Sequence, residues 1–323
     1  MLPEPFHNSL VLTGPTGCGK TALGVELAER LGAEIISMDS MALYRGMDIG
    51  TAKPDAAACQ RVRHHLIDVL APWESASVAW WLKKAAVTVG EIEQRGKRVL
   101  FVGGTPLYLK ALLRGLFNGP PADKELRLRL AREAESNGQK ALHHRLAQVD
   151  PRSAGRLHPN DVRRVIRALE VWELTGRPIS AWQQQWSADC ENTDSAIRNP
   201  VLWLDLPRTE LYARIDARVQ QMIDAGLVEE VRALRGSPRP LSREASQALG
   251  YKELFDYLEA RSTLEEAITR IQVRSRNFAK RQLSWLRHLP ECQPVSSELT
   301  FASWGSTMDG NAADPLFGGY GAH

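Results

Sequence analysis

The chain has 323 residues, 43% of them hydrophobic and 24% charged, and a formal net charge of +3. This ordinary globular composition excludes a collagen-like or largely disordered protein, and the length suits a large core with a smaller second unit. No apolar run reaches membrane-spanning length and residues 1–7 lack the basic start and apolar stretch of a signal peptide, so a cytoplasmic protein with no membrane partner is expected.

The first hundred residues alternate between the two element types. Residues 9–13 form an apolar run that enters a glycine turn, and Lys20 to Leu31 shows helical spacing that stops at Gly32. A second strand covers 34–38 and ends on Asp39, a helix covers 76–95, and a third strand over 98–102 runs into Gly103 and Gly104. His64 and His65 open a further apolar strand and are expected to be structural, as is the Trp80-Trp81 pair on a helix that packs on the sheet. Strands separated by helices imply a parallel sheet covered on both faces, with ligands at the carboxyl ends of the strands. Gly14, Asp39 and Gly103 lie just past three such ends and are expected to converge.

The character changes at residues 118–121, Asn-Gly-Pro-Pro, after which the chain reads as helices to about residue 199. Strand signal returns over 200–206 and helices follow to about Leu289. The expected division is a catalytic core of residues 1–117 and 200–289, an all-helical insertion domain of 118–199, and a mobile Gly- and Ser-rich tail of 290–323. Cys18, Cys59, Cys190 and Cys292 are scattered without Cys-x-x-Cys spacing, which points to free thiols and away from a zinc site.

GPTGCGKT at residues 14–21 matches G-x-x-x-x-G-K-[ST] between a strand and a helix. The fold class is therefore α/β, a P-loop NTPase-like parallel sheet flanked by helices. Gly14, Pro15, Thr16, Gly17, Cys18 and Gly19 form a loop whose backbone N–H groups point at phosphate oxygens, helped by the positive end of the following helix. Lys20 supplies a point charge, and the Thr21 hydroxyl helps to hold Mg²⁺, the expected cofactor. NTP hydrolases carry an acid at the end of a later apolar strand. Here that strand ends in Gly103-Gly104-Thr105, and the candidate acids are Asp39 and, far along the chain, Asp205. A diphosphate-bearing substrate is as plausible as ATP.

Two segments concentrate positive charge. From Arg261 to His288 there are seven Lys/Arg against two acids. On that helix Arg270, Arg274 and Arg281 fall on one side and Arg276, Lys280 and Arg287 on another, a pattern that taken alone fits a solvated face at least as well as a phosphate footprint in which one set meets RNA and the other pairs with acids. Between Asp161 and Glu170, Val162, Val165, Ile166 and Leu169 form an apolar stripe opposite Arg163, Arg164 and Arg167.

DSMALYRGMDIGTAKP at residues 39–54, taken with the loop at 14–21, strongly resembles the bacterial tRNA dimethylallyltransferases, also called tRNA isopentenyltransferases. HHLID at 64–68, GGTPLY at 103–108, DVRRVIRALE at 161–170, RIDAR at 214–218 and KRQLSWLR at 280–287 match in the same order. The resemblance spans roughly residues 8–289. It implies transfer of a dimethylallyl group from dimethylallyl diphosphate to the exocyclic amine of an adenosine. That adenosine lies immediately 3′ of the anticodon in tRNAs that read codons beginning with U, so the tRNA anticodon stem-loop is the expected macromolecular partner of a monomer. By the same resemblance Asp39 is the general base, Lys20 and the loop hold the leaving diphosphate, and Thr105 contacts the reacting region. Arg214 or Arg218 reaches the diphosphate, and surface pairing with Asp216 and its neighbours remains the alternative for both. Asp39, Ser40, Met41, Ala42, Thr105 and Arg127, the stretch Arg163, Arg164, Val165, Ile166 and Arg167, and Lys280, Arg281 and Arg287 are the expected tRNA contacts. QALGYK at 247–252 departs from the family pattern, with Gln247 and Lys252 where arginines are common, which weakens that segment as an RNA clamp. A small-molecule P-loop kinase and a nucleotide-gated RNA-binding protein are the rival readings.

Overall fold

The apolar run Leu10–Thr13 forms β1, buried along its length, and feeds the glycine turn before helix α1, Lys20–Leu31. Gly32 ends α1 in the left-handed region, its N–H closing on the carbonyls of Ala28 and Glu29. There follow β2 (Ala33–Ser37), α2 (Ala56–Arg61), β3 (His64–His65), α3 (Val78–Gln94), β4 (Arg98–Gly103) and α4 (Pro106–Arg114). A helical stretch comes next: α5 (Lys124–Asn137), α6 (Gln139–Val149), α7 (Pro151–Ala154), α8 (Val162–Thr175) and α9 (Ile179–Trp182). The sheet resumes at β5 (Val201–Leu204). After it come α10 (Arg208–Asp224), α11 (Leu227–Arg235), α12 (Arg243–Ser246), α13 (Tyr251–Leu258), α14 (Leu264–Arg287) and β6 (Cys292–Val295). The computed structural model describes residues 6–117, 119–183 and 201–296. Cys190, most of the expected tail and the end of the expected insertion lie outside the described residues.

One six-stranded parallel sheet has the order β3-β2-β4-β1-β5-β6. The central strand β1 aligns Leu12 with Val102 of β4 and Leu202 of β5, while Ser37 of β2 aligns with Val102 from the other side. The carboxyl ends of β1, β2 and β4 therefore sit side by side, which brings Gly14, Asp39 and Gly103 together. Helix α3 covers the sheet through Trp81, whose indole N–H donates to the Ser37 carbonyl at 3.1 Å while its ring stacks on Tyr108 at 4.4 Å. Trp80 beside it is only partly buried.

The strand opened by His64 closes after two residues, because Leu66 and Asp68 adopt φ of 58° and 55° and turn the chain away. His65 Nε2 lies 2.6 Å from Glu34, while His64 Nδ1 lies 2.8 Å from the Val62 carbonyl and its side chain borders a small cavity. The region after Leu289 is also corrected, since Cys292–Val295 adds an edge strand beside β5, where Pro294 is tolerated. Between the long helices α10 and α14 the chain forms shorter pieces rather than continuous helix.

The described residues fall into two compact units, with 114–183 in the second and 201–296 back in the first. The second unit is helical throughout its described part and has its own core, including Leu130, Leu142, Leu146, Val165 and Leu169. Glu170, fully buried, joins α5 to α8 by accepting from Arg127 at 2.8 and 2.9 Å and from Arg167. Burial pushes the Glu170 carboxyl up, but these hydrogen bonds outweigh it and hold it below the ordinary range. No helix among the described residues is long and apolar enough to cross a membrane.

Candidate active site

The glycine loop is shaped by positive φ at Gly17 and Gly19, 81° and 91°, which a side chain would resist. No side chain caps α1, so its first-turn N–H groups remain for an anion. Cys18 is 1% exposed and fills the small space beside Gly14, where an added Cβ would meet its sulfur at 2.7 Å. Lys20 Nζ donates to the Pro15 carbonyl at 3.1 Å. Thr16, Lys20, Thr21, Asp39 and Arg218 line a cavity of about 100 Å³. A second cavity of about 380 Å³ shares Thr16, Asp39 and Arg218 and adds Ser40, Met41 and Thr105. Val219, Met222, Ile271 and Phe278 give it an apolar side.

The segment around Asp39 is tied to the turn after β4 by hydrogen bonds. Thr105 N–H donates to the Met38 carbonyl at 3.2 Å, and its Oγ1 accepts from Ser40 N–H at 3.1 Å. Asp39 Oδ1 accepts from Met41 N–H at 2.8 Å, and no hydrogen bond among the described residues engages its Oδ2. Gly104 is required by close approach: a Cβ there would lie 2.6 Å from Gln282 Nε2 and 2.8 Å from the Gly14 carbonyl.

Gln282, which sequence reading passed over inside KRQLSWLR, bridges the two sides. Its Oε1 accepts from Thr16 N–H at 2.9 Å and its Nε2 donates to the Gly104 carbonyl at 2.6 Å. The arginines at 214 and 218 differ in burial, Arg214 being exposed and Arg218 partly buried. Arg218 lines both cavities and donates to Thr16 Oγ1 at 3.4 Å. Burial lowers its pKa, and the Asp39 carboxylate opposes that shift. Arg214 instead pairs with Glu210 at 2.6 Å in the i,i+4 position, with its Nη1 3.7 Å from where a Cβ on Gly19 would stand. Asp205 faces Arg287 at 3.9 Å and lines neither cavity, whereas Asp39 lines both and Glu244 the larger one alone.

The late helix does not divide into an RNA side and a core side. Arg276 pairs with Asp216 at 2.5 Å, Arg274 with Glu253, and Arg270 with Asp256 at 3.8 Å. Lys280 and Arg281 are exposed without an ion pair among the described residues, and Arg281 borders the larger cavity near the Phe278 ring. Gln247 lines the same cavity, whereas Lys252 points to the exposed surface of α13. In the second unit Arg163 and Arg164 are exposed, Arg164 facing Asp161 at 3.4 Å, while Ile166 is half-buried. Val165 is 1% exposed, so its side chain belongs to the core. Arg127 and Arg167 are engaged by Glu170.

The family model described as IPP transferase matches residues 42–289, and that described as isopentenyl transferase matches 8–71. The chain belongs to the IPP transferase family. A tRNA dimethylallyltransferase of Geobacter metallireducens is 44% identical over 310 residues, covering 96% of this chain and 99% of that protein. One of Geobacillus kaustophilus is 46% identical over 86% of this chain and 87% of its own length. Among solved structures, the tRNA isopentenylpyrophosphate transferase of Bacillus halodurans matches with a TM-score of 0.64 at 40% identity, covering 96% and 97% of the two chains. A eukaryotic dimethylallyltransferase, described as acting on tRNA, matches with a TM-score of 0.74 at 27% identity over 95% of this chain and 77% of its own.

In this chain the stretch 39–54 is held by side chains rather than by regular structure. Glu230 of α11 accepts from the N–H groups of Asp48, Ile49 and Gly50 at 2.8, 2.8 and 3.2 Å, and from the Tyr251 hydroxyl at 2.6 Å. Lys53, its side chain 5% exposed, donates to the Tyr44 carbonyl, Asp48 and Asp68 at 2.5, 2.6 and 2.5 Å. The motif residues Asp48, Gly50 and Lys53 thus hold the turn that begins at Asp39.

Proposed function

We infer that this member of the IPP transferase family is a transferase acting on tRNA, which moves a dimethylallyl group from dimethylallyl diphosphate to the exocyclic amine of the adenosine 3′ of the anticodon. The tRNAs concerned are those that read codons beginning with U. The observation that carries this reading is one carboxylate, Asp39, shared by a small cavity under the phosphate loop and a larger one with an apolar side. A volume of about 380 Å³ suits a nucleobase with a five-carbon group and falls in the usual range for small-molecule sites, about 300–1,000 Å³.

The amine of adenine is a weak nucleophile because its lone pair is delocalised into the ring. As the nitrogen bonds to the terminal allylic carbon, the carbon–oxygen bond to diphosphate breaks and the amine must lose a proton. Asp39 Oδ2 accepts that proton while Met41 N–H holds Oδ1 in place. The departing diphosphate is stabilised by the loop amides, Lys20 and Arg218, which are in position before the charge develops. Thr105 orients the acceptor turn through Ser40. The stacked base must be turned out to reach this carboxylate, as enzymes acting on bases require. Arg163, Lys280 and Arg281, exposed, serve the RNA phosphates, together with Arg164, which also faces Asp161.

The donor set fits Mg²⁺ modestly. The described residues contain no cluster of three or more acidic, histidine or cysteine ligands. Thr21 lines the small cavity, and magnesium commonly binds with few protein ligands and several waters. Thr21 and the substrate's phosphate oxygens would hold the ion, which supplies charge neutralisation to the leaving group.

Incubating the protein with Mg²⁺, labelled dimethylallyl diphosphate and an anticodon stem-loop tests the reading. Label is expected in adenosine, and Asp39→Asn is expected to abolish transfer while tRNA affinity is mostly kept. ATP consumption with a small acceptor, and no label in RNA, would favour a kinase instead.

A further inference from the structure

Gln282 sits on α14, 178 residues from Gly104 and 266 from Thr16, and is 3% exposed. Its planar amide offers one acceptor and one donor group, and each grips a different wall of the site. Thr16 lies in the loop that faces the diphosphate. Gly104 immediately precedes Thr105, which holds Ser40 and Met38. A path of hydrogen bonds and single backbone steps thus runs from Thr16 through Gln282 to Gly104, Thr105, Ser40 and Asp39. Arg218 grips Thr16 a second time through its hydroxyl.

The arrangement dictates the side chain. Methionine would keep the volume but leave Thr16 N–H and the Gly104 carbonyl without their partner. Glutamate would still accept from Thr16 N–H, but it would face the Gly104 carbonyl with a second acceptor and set a negative charge beside the phosphate loop. The amide also lies where a Cβ on Gly104 would stand, at 2.6 Å, so the two sides meet without slack.

We propose that Gln282 is a positioning residue for prenyl transfer, fixing the spacing between the diphosphate loop and the Thr105–Asp39 turn so that the allylic carbon and the amine meet in line. The proposal rests on the transfer reading given above. Gln282 lines both cavities, but both polar ends of its amide are taken by Thr16 and Gly104, so its loss changes alignment more than binding. A misplacement of about 1 Å in such a site costs on the order of 100-fold in rate.

The test uses the full chain and four proteins: the parent, Gln282→Met, Gln282→Glu, and Leu286→Ala as a control. Leu286 is 3% exposed on the same helix and lines neither cavity. kcat and both KM values are measured with labelled dimethylallyl diphosphate and an anticodon stem-loop, alongside thermal melting. Gln282→Met is expected to lower kcat by about 100-fold with both KM values within about threefold of the parent. Gln282→Glu is expected to lower kcat and also to raise KM for the diphosphate substrate. Leu286→Ala is expected to melt lower with kcat kept at a temperature where it is folded. A kcat within about threefold of the parent in either folded Gln282 variant overturns the proposal, as does an equal kcat loss in Leu286→Ala. If Gln282→Met does not fold, the near-isosteric Gln282→Glu decides by the same kcat criterion. Failure of the transfer reading is separately visible, because the parent itself would then put no label in RNA.

Discussion

Arg214 and Arg218 carry the same side chain one helical turn apart, yet the fold gives them different work. Arg218 faces the phosphate loop across Thr16, in an environment that resists charge except for the nearby Asp39. Arg214 makes a surface pair with Glu210, an interaction worth only about 0.3–0.5 kcal/mol in an exposed helix. Arg218→Ala is therefore expected to raise KM for dimethylallyl diphosphate and lower kcat, together by at least about 100-fold in kcat/KM. Arg214→Ala should stay within about threefold. Steady-state kinetics at saturating stem-loop separate the two, and equal effects would refute the assignment. The sequence displays both arginines but cannot tell which is buried against Thr16, because α10 turns its face by packing Ile215 and Val219 inward. Gln282 was illegible for a related reason: its partners are backbone groups far along the chain, and backbone groups leave no trace in residue type.

Helix α8 shows how a basic stretch divides its labour. Its apolar stripe includes Val165 and Leu169, which are core, and its arginines 163 and 164 are exposed; the burial of Val165 goes against its expected side-chain contact with tRNA. What periodicity does not reveal is that the fully buried Glu170 takes Arg167 and Arg127 for itself. Arg127 ties α5 to α8 through Glu170, and Arg167 braces that carboxylate from its own helix while donating to the Pro120 carbonyl. Glu170→Gln is expected to lower the stability of the helical unit by about 1–3 kcal/mol, since the arginines it strands are partly exposed. Differential scanning calorimetry would register this as an earlier transition. Arg163→Ala should leave melting unchanged, weaken stem-loop binding, and reduce the slope of log affinity against log salt by about one. An unchanged slope would remove Arg163 from the interface.

At the scale of the whole chain, alternation of strand and helix made the sheet legible, and α1 was bounded at both ends because Gly19 and Gly32 punctuate it. The edges were harder. β3 is cut short by left-handed residues of ordinary type, and β6 hides a strand in a segment whose composition suggests a tail. Glu34 binds this edge together, accepting from Arg95 at 2.7 and 3.1 Å and lying 2.6 Å from His65. The Arg95 hydrogen bond, opposed by burial and aided by His65, lowers the Glu34 carboxyl from 4.5 to about 2. Its folded-state pKa lies below the unfolded one, so its stabilising contribution is complete above about pH 4.5 and disappears as the pH falls through about 2. Glu34→Gln should destabilise the protein at neutral pH, and the deficit relative to the parent should shrink between pH 4.5 and 2. Chemical denaturation across that window measures it, and a constant deficit would show that the carboxylate's charge contributes nothing.

The capture of the Asp48–Gly50 amides by Glu230 has a thermodynamic consequence for catalysis. A stretch without helix or strand is costly to immobilise, and an enzyme that ordered it only when RNA arrived would draw that cost from its affinity. Here the entropy is surrendered once, when the chain folds, and the stretch that follows Asp39 is already tied in place. Substrate contacts are then free to favour the transition state rather than to organise the host.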